Sequence, residues 1–317
     1  MFKLYDIHGP LSAIPEPTAV TVGVFDGVHR GHQDLIKQLS ALRSPLSTLV
    51  VTLTAHPSFV LGRRDSEYWL DDREEHLRLL FEAGAKYVAV LPFTREVAQL
   101  SACAMARLLY DKLNMRALLL GYDSRFGSKQ DDNFDRLPLL ASELGFTLLR
   151  GEPFLFDGTP ISSSRIRESL LQGRVDETAR LLGRPYSVCG RVAHGRGVGH
   201  TLGFPTANID LSQTRKMLPL EGVYAVKLRP QTSDIRPLTG MANLGPLPTF
   251  GIDKPTLEVH LLDFDGDLYG QPVEVQFIQR LRDTVRFDSV EALQHQLQED
   301  LNNCQQICRQ DAGAPKQ

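Results

Sequence analysis

The hydrophobic period of this chain changes once along its length, and that change limits the folds open to it. From residue 18 to about 150, apolar runs of strand length alternate with amphipathic stretches of helical length. Ala19 to Val24, Thr48 to Leu53, Lys86 to Leu91, Arg116 to Gly121 and Phe146 to Arg150 are predicted as buried strands. Asp72 to Ala83 with Gly84 as its stop signal, Ser101 to Asn114, and Phe134 to Leu144 closed by Gly145 are predicted as helices. This alternation predicts an α/β fold with a doubly wound, mostly parallel sheet, whose ligands sit beyond the carboxyl ends of the strands.

After about residue 186 the period shortens. Tyr186 to Ala193, Gly222 to Leu228, Thr239 to Asn243, Leu257 to Phe264 and Val273 to Ile278 are short runs rich in Val, Leu and Tyr, separated by turn residues. They predict a small antiparallel β-barrel, followed by one long helix from Val290 to Ile307. Arg167 to Leu182 is predicted as a helix between the halves, ending at Gly183-Arg184-Pro185. The expected domains are therefore 1–183 and 184–317.

With 317 residues, 42% hydrophobic and 23% charged, the chain has room for two cores and the balance of a soluble globular protein. A net charge of -3 gives no basic field for nonspecific nucleic-acid binding, so no nucleic-acid partner is expected. No run is long enough to span a bilayer, and Met1 to Pro17 has no signal-peptide pattern. The expectation is a cytoplasmic protein with no membrane partner, acting as a monomer or weak homo-oligomer. Cys103, Cys189, Cys304 and Cys308 are scattered, as in a reducing compartment. Cys304 and Cys308, one helical turn apart, read as surface thiols.

The densest signal for chemistry is Gly23-Val24-Phe25-Asp26-Gly27-Val28-His29-Arg30-Gly31-His32, which joins a strand to the amphipathic stretch Gln33 to Leu39. Backbone N–H groups and the helix dipole favour an anion at such a junction. His29 and His32 are three apart, neighbours on a first helical turn, and imidazoles can donate hydrogen bonds to a reacting phosphoryl group. Gly31 lets a phosphate chain approach the backbone. A second element, Ile161-Ser162-Ser163-Ser164-Arg165-Ile166-Arg167, places hydroxyls and guanidinium groups ahead of a helical run, Glu168 to Leu171.

In the second half, His194 to Asn208 is glycine-rich but lacks both the G-x-G-x-x-G spacing and a following helix, so it is not a dinucleotide fingerprint. Its glycines, Gly195, Gly199 and Gly203, can still cradle phosphates through backbone N–H groups. Thr206 and Asn208, two apart on an extended segment, share one face and offer oxygen ligands suited to Mg²⁺. Asp263-Phe264-Asp265-Gly266-Asp267 lacks the glycine a calcium loop needs at its sixth position, where Leu268 stands, and reads as a hairpin turn.

The first turn resembles the HxGH signature of nucleotidylyltransferases, and Ser162 to Arg167 resembles their Ser-Ser-Thr-x-Ile-Arg motif, with Ser164 at the Thr position. Gly203-Phe204-Pro205-Thr206-Ala207-Asn208 resembles the GFPTAN signature of riboflavin kinases, as do Gly222-Val223-Tyr224, Ala242 to Gly245, Pro248 to Phe250, Leu257 to Phe264 and Arg280 to Asp283. Together, over roughly residues 18 to 300, the chain resembles the bacterial bifunctional riboflavin kinase/FMN adenylyltransferase (FAD synthetase) family. The resemblance implies a Rossmann-like nucleotidylyltransferase domain and a kinase barrel. It implies that riboflavin is phosphorylated to FMN and FMN adenylylated to FAD, with ATP as substrate and Mg²⁺ as cofactor. It assigns catalysis to His29, His32, Arg167 and Glu258. It assigns nucleotide binding to Gly23, Phe25, Asp26, Gly27, Gly31, Ser162, Ser163, Ser164, Gly195, Gly199, Gly203 and Pro205. Flavin contacts fall to Asp123, Arg125, Phe126 and Arg282, and the metal to Thr206 and Asn208.

Two positions depart from the family pattern. Ser124 replaces an aromatic in Asp123 to Gly127, removing a stacking surface. His200 stands where an Arg usually precedes GFPTAN, which predicts weaker or more pH-sensitive use of ATP by the kinase.

Overall fold

The computed structural model describes residues 3–6, 14–42, 45–55, 57–62, 68–124, 126–128, 135–195, 203–232, 236–246 and 255–313. They group into two compact units, Met1–Ser163 and Ser164–Gln317.

The first unit is built on strands β1 (Lys3–Asp6), β2 (Thr18–Gly23), β3 (Ser47–Leu53), β4 (Tyr87–Leu91), β5 (Met115–Leu120) and β6 (Thr147–Arg150). They form one sheet in the order β1-β4-β3-β2-β5-β6, and every neighbouring pair is parallel. Alternate residues of the central strands feed two cores. Val20, Leu49, Val51, Ala89 and Leu118 pack with Leu109 and Leu113 of the helix Ala102–Leu113. Val50 and Val88 pack with Ile36 and Leu80 from the helices Arg30–Ser40 and Arg73–Glu82. A sheet covered on both faces is the reason its strands read as continuous apolar runs. The predicted helix limits are set by capping: Asp72 and Ser101 accept from the N–H groups of Glu75 and Ala104, and Asn114 and Gly145 close their helices in the left-handed region. A short hairpin, β7 (Leu155–Phe156) with β8 (Thr159–Pro160), completes the unit. The sequence pattern gave no sign of it or of β1, whose few residues are too short to establish a period.

The second unit contains β9 (Tyr186–Ala193), β10 (Ala207–Asp210), β11 (Gly222–Pro230), β12 (Leu238–Pro246), β13 (Pro255–Leu261) and β14 (Pro272–Arg282). They close an antiparallel barrel in the order β10-β13-β12-β11-β14-β9. The helix Val290–Gly313 lays Leu297, Leu301, Cys304, Ile307 and Cys308 against Val223, Ala225 and Met241. Both faces of β11 are therefore buried.

Three expectations change. Cys304 and Cys308 are not surface thiols; they are 0% and 5% exposed in that helix–barrel seam. The helix expected over 167–182 is two, Ser163–Leu171 and Val175–Leu182, with Gly173 at φ +72° between them. The earlier start puts Ser164, Arg165 and Arg167 inside a helix rather than ahead of one. The helix Val175–Leu182 packs on β9 and β14. Finally, Asp265-Gly266 is not a hairpin turn, because β13 and β14 are not neighbours in the barrel; the segment belongs to a longer connection.

Candidate active site

In the first unit the carboxyl end of β2 runs into a turn with three departures from ordinary backbone within four residues. Phe25, Gly27 and Val28 have φ of +53°, +80° and +35°. For a β-branched valine this is a strained conformation that its surroundings must enforce. They do so through two buried carboxylates. Asp26 Oδ1 accepts from Leu70 N–H at 2.8 Å, and Asp71 Oδ2 accepts from Gly27 N–H at 3.0 Å. Ser163 Oγ donates to the Asp26 carbonyl at 3.0 Å, joining the second phosphate motif to the first. Phe25 and Val28 are buried in the core beside Ile36 and Leu80. Of the predicted nucleotide contacts, Phe25 and Asp26 thus build the turn from behind.

His29 caps the helix Arg30–Ser40, its Nδ1 accepting from His32 N–H at 3.3 Å. The ring proton of a neutral His29 therefore sits on Nε2. The two imidazoles stack, with centroids 3.5 Å apart and planes 19° apart, and Phe25 meets His32 edge-on at 5.2 Å. A Cβ on Gly31 would lie 3.2 Å from the His29 ring, so glycine allows this stack. Burial, the neighbouring His29 and the more distant His76 all hold the His32 pKa well below the usual histidine value. Its Nδ1 is buried and has no hydrogen-bond partner among the described residues. The result is a stacked imidazole pair, with His32 held neutral, at a helix N-terminus, where the dipole and first-turn N–H groups favour an anion.

Asp123 is exposed beyond the carboxyl end of β5. Phe126 is only 8% exposed and belongs to the core beside Ala102, so little of its ring remains for a flavin. Its segment is pinned by Ser128 N–H donating to Leu100 O at 2.9 Å. Arg125 lies outside the described residues. Ser162 is half-buried and Ser164 exposed, and Arg167 follows on the same helix, in the second unit.

In the second unit, register makes a row across three strands. Asn208 on β10 lies opposite Glu258 on β13, which lies opposite Asn243 on β12. Opposed residues point to one face, so the amide, carboxylate and second amide stand side by side. Next along the row is Val223, whose partner on β14 is Arg282. The guanidinium of Arg282 forks onto buried Asp300 of the last helix, with Nε 2.9 Å and Nη2 2.7 Å from Oδ2. Its Nη1 donates to Asp283 O at 2.9 Å, so this predicted flavin contact is engaged with protein. Gly195 approaches Asn208 so closely that a Cβ would overlap the side-chain amide. A cavity of about 260 Å³ lies against the other face of β10 and β13, with none of the row residues in its lining. Pro205 and Thr206 line it, with Val259, Leu261, Phe264 and Tyr269 among the other walls. His194 stacks on Tyr269 at 4.1 Å, and His260 Nδ1 lies 2.8 Å from the Pro205 carbonyl as its donor. Gly203 is exposed at φ +81°; Gly199 and His200 lie outside the described residues. Thr206 and Asn208 carry oxygen donors of the kind a hard divalent cation such as Mg²⁺ takes.

Sequence reasoning missed Asp71, His76, Asn243, Asp300 and the cavity-lining connection. Asp71 immediately precedes the capping Asp72 and could have been flagged there; Asn243 is placed by strand register, and His76 and Asp300 by tertiary side-chain contacts.

A parallel α/β unit with a stacked histidine pair at a helix N-terminus, followed by a closed antiparallel barrel that carries a carboxylate–amide row, is the architecture of a two-domain enzyme. Comparison with known proteins narrows the class. The FAD synthetase family model matches residues 11–165, and the riboflavin kinase model matches residues 182–308. The bifunctional riboflavin kinase/FMN adenylyltransferase of Haemophilus influenzae is 36% identical over 296 residues, covering 89% of this chain and 92% of that protein. The Escherichia coli K12 protein of the same name is 36% identical over 297 residues, covering 93% and 94%. A solved structure from Streptococcus pneumoniae, described as a macrolide-efflux protein, has a TM-score of 0.85 at 31% identity, covering 95% of this chain and 98% of that one. Among the described residues of this chain, no helix is long and apolar enough to cross a membrane. The chain belongs to the bifunctional riboflavin kinase/FMN adenylyltransferase family.

Proposed function

We propose that the His29/His32 turn carries adenylyl transfer, and the Asn208–Glu258 row phosphoryl transfer, in an enzyme that converts riboflavin to FMN and FMN to FAD. The functional boundary is placed at 183/184, next to the start of the riboflavin kinase match at residue 182.

In the second unit, Glu258 takes the proton of the ribityl 5′-hydroxyl as its oxygen attacks the γ-phosphorus of ATP, and ADP leaves. The cavity holds the adenine, with Gly195, Gly199, Gly203 and Pro205 around the nucleotide. Thr206 and Asn208 would hold Mg²⁺, which, when bound, neutralises charge on the phosphates. In the first unit, the FMN phosphate oxygen attacks the α-phosphorus of ATP, the α–β phosphoanhydride bond breaks, and pyrophosphate leaves. The first-turn N–H groups, His29, His32 and Arg167 stabilise the negative charge that spreads over the transferring phosphorus. Gly23, Gly27, Gly31, Ser162, Ser163 and Ser164 line the nucleotide, and the flavin contacts fall to Asp123 and Arg125. Four cysteines scattered along the sequence support a reducing, cytoplasmic setting.

The observation that carries this reading is the stacked imidazole pair on a strained turn at a helix N-terminus, in a chain whose other unit holds a separate carboxylate–amide row. The test is a flavin time course, resolved by chromatography, with riboflavin, ATP and Mg²⁺. FMN rising first and FAD after it is the expected result; no product from riboflavin, while FMN supplied in its place still becomes FAD, would overturn the kinase assignment.

A further inference from the structure

Thr52 at the end of β3 and His76 in the helix Arg73–Glu82 fall in no motif, yet they connect to both ends of the strained turn. His76 Nδ1 lies 3.0 Å from Asp71 Oδ2, the oxygen that also accepts Gly27 N–H. On its other side His76 Nε2 lies 2.9 Å from Thr52 Oγ1. Thr52 Oγ1 in turn donates to the Val24 carbonyl at 3.3 Å. A threonine hydroxyl has one proton. If that proton goes to Val24, Nε2 must be the donor to Thr52, and Nδ1 the donor to the Asp71 carboxylate. Every contact is then satisfied by an imidazolium. The path runs Val24 carbonyl, Thr52, His76, Asp71, Gly27 N–H, and closes a ring through the turn itself.

We propose that His76 is a positioning residue for adenylyl transfer: by closing this ring it holds the Val24–His29 turn in its strained, phosphate-receiving shape. This rests on the reading of that turn as the adenylyl-transfer site. The groups facing His76 agree with its charge. Burial opposes protonation, but the hydrogen bond and charge of Asp71, with Asp26 and Glu75 behind it, raise its pKa above the ordinary histidine value. The charge of His76 also helps to keep His32 neutral. The ring is complete while His76 is protonated and opens as pH rises through that raised pKa.

The experiment measures FMN adenylylation and riboflavin phosphorylation in the full chain across pH, for wild type, His76→Ala, His76→Asn and His32→Ala. An asparagine amide keeps a donor to Asp71 but does not titrate. His76→Ala is expected to lower kcat for adenylylation about 10–100-fold, with the KM for ATP changed less than about threefold. Riboflavin phosphorylation should stay at the wild-type rate. His76→Asn should restore most of kcat and flatten the alkaline limb of the pH profile. Wild-type adenylylation by His76→Ala, or a His76→Asn profile with the same alkaline limb as wild type, would overturn the proposal. His32→Ala separates the underlying reading: if it retains FAD formation, the site assignment itself falls; if it loses FAD formation while His76→Ala does not, only the role of His76 falls.

Discussion

Val28, fully buried at a φ of +35°, shows how much of this site is backbone engineering. Such a residue persists only where neighbouring contacts over-determine it, at a cost of about 1–3 kcal/mol. Here the contacts are the Asp26 and Asp71 carboxylates, and the function is to aim the His29 end of the helix. Gly27 sits at φ +80° beside it, and Gly27→Ala should destabilise the first unit by about 1–2 kcal/mol, seen as a lower denaturant midpoint. Gly31→Ala tests a different effect. Its Cβ would press on the His29 ring at 3.2 Å, so adenylylation should fall about tenfold with little change in stability. The histidine pair was legible in the sequence because it lies within one local strand–turn–helix run. Asp71 was not, because it reaches Gly27 across 44 residues and carries no motif. Phe126 shows the opposite case. Its motif was visible, but only the packing beside Ala102 reveals that its ring is buried.

At the level of elements, the antiparallel register of β10, β13 and β12 makes one polar row from residues far apart in sequence. The period-2 pattern identified Glu258 as facing away from Leu257 and Val259, and both of those are indeed buried. It could not identify Asn243 as Glu258's other neighbour, since strand order is a property of the closed barrel. The same limit explains β10, a strand of four residues embedded in a glycine-rich segment. The last helix was legible from its own period, but its role was not. Its Asp300 holds Arg282 at the end of the row, while Cys304 and Cys308 fill the seam. Asp300→Ala strands a largely buried guanidinium, so it should destabilise the barrel unit by about 3 kcal/mol. Thermal unfolding monitored alongside riboflavin phosphorylation checks this, and both should fall together, with adenylylation of supplied FMN preserved below the unfolding transition.

For the molecule as a whole, two units with separate cores predict separable behaviour. Acid should act first through carboxylates held in their charged form. Hydrogen bonds from Lys86, Tyr87 and Ser47 lower the Glu16 pKa from 4.5 to about 2. Because the folded value is the lower one, the contribution of Glu16 is complete above about pH 4.5 and is lost as pH falls towards about 2. Glu16→Gln should therefore lower the Tm at neutral pH, and the difference from wild type should vanish near pH 2. The most direct test of the whole account is to assay two variants, His32→Ala and Glu258→Gln, separately and mixed, following riboflavin, FMN and FAD by chromatography. The account predicts that His32→Ala converts riboflavin to FMN and stops there. Glu258→Gln should leave riboflavin untouched but turn supplied FMN into FAD, and the mixture should carry riboflavin through to FAD. Loss of both conversions in either variant, or FAD formed from riboflavin by His32→Ala alone, would contradict it.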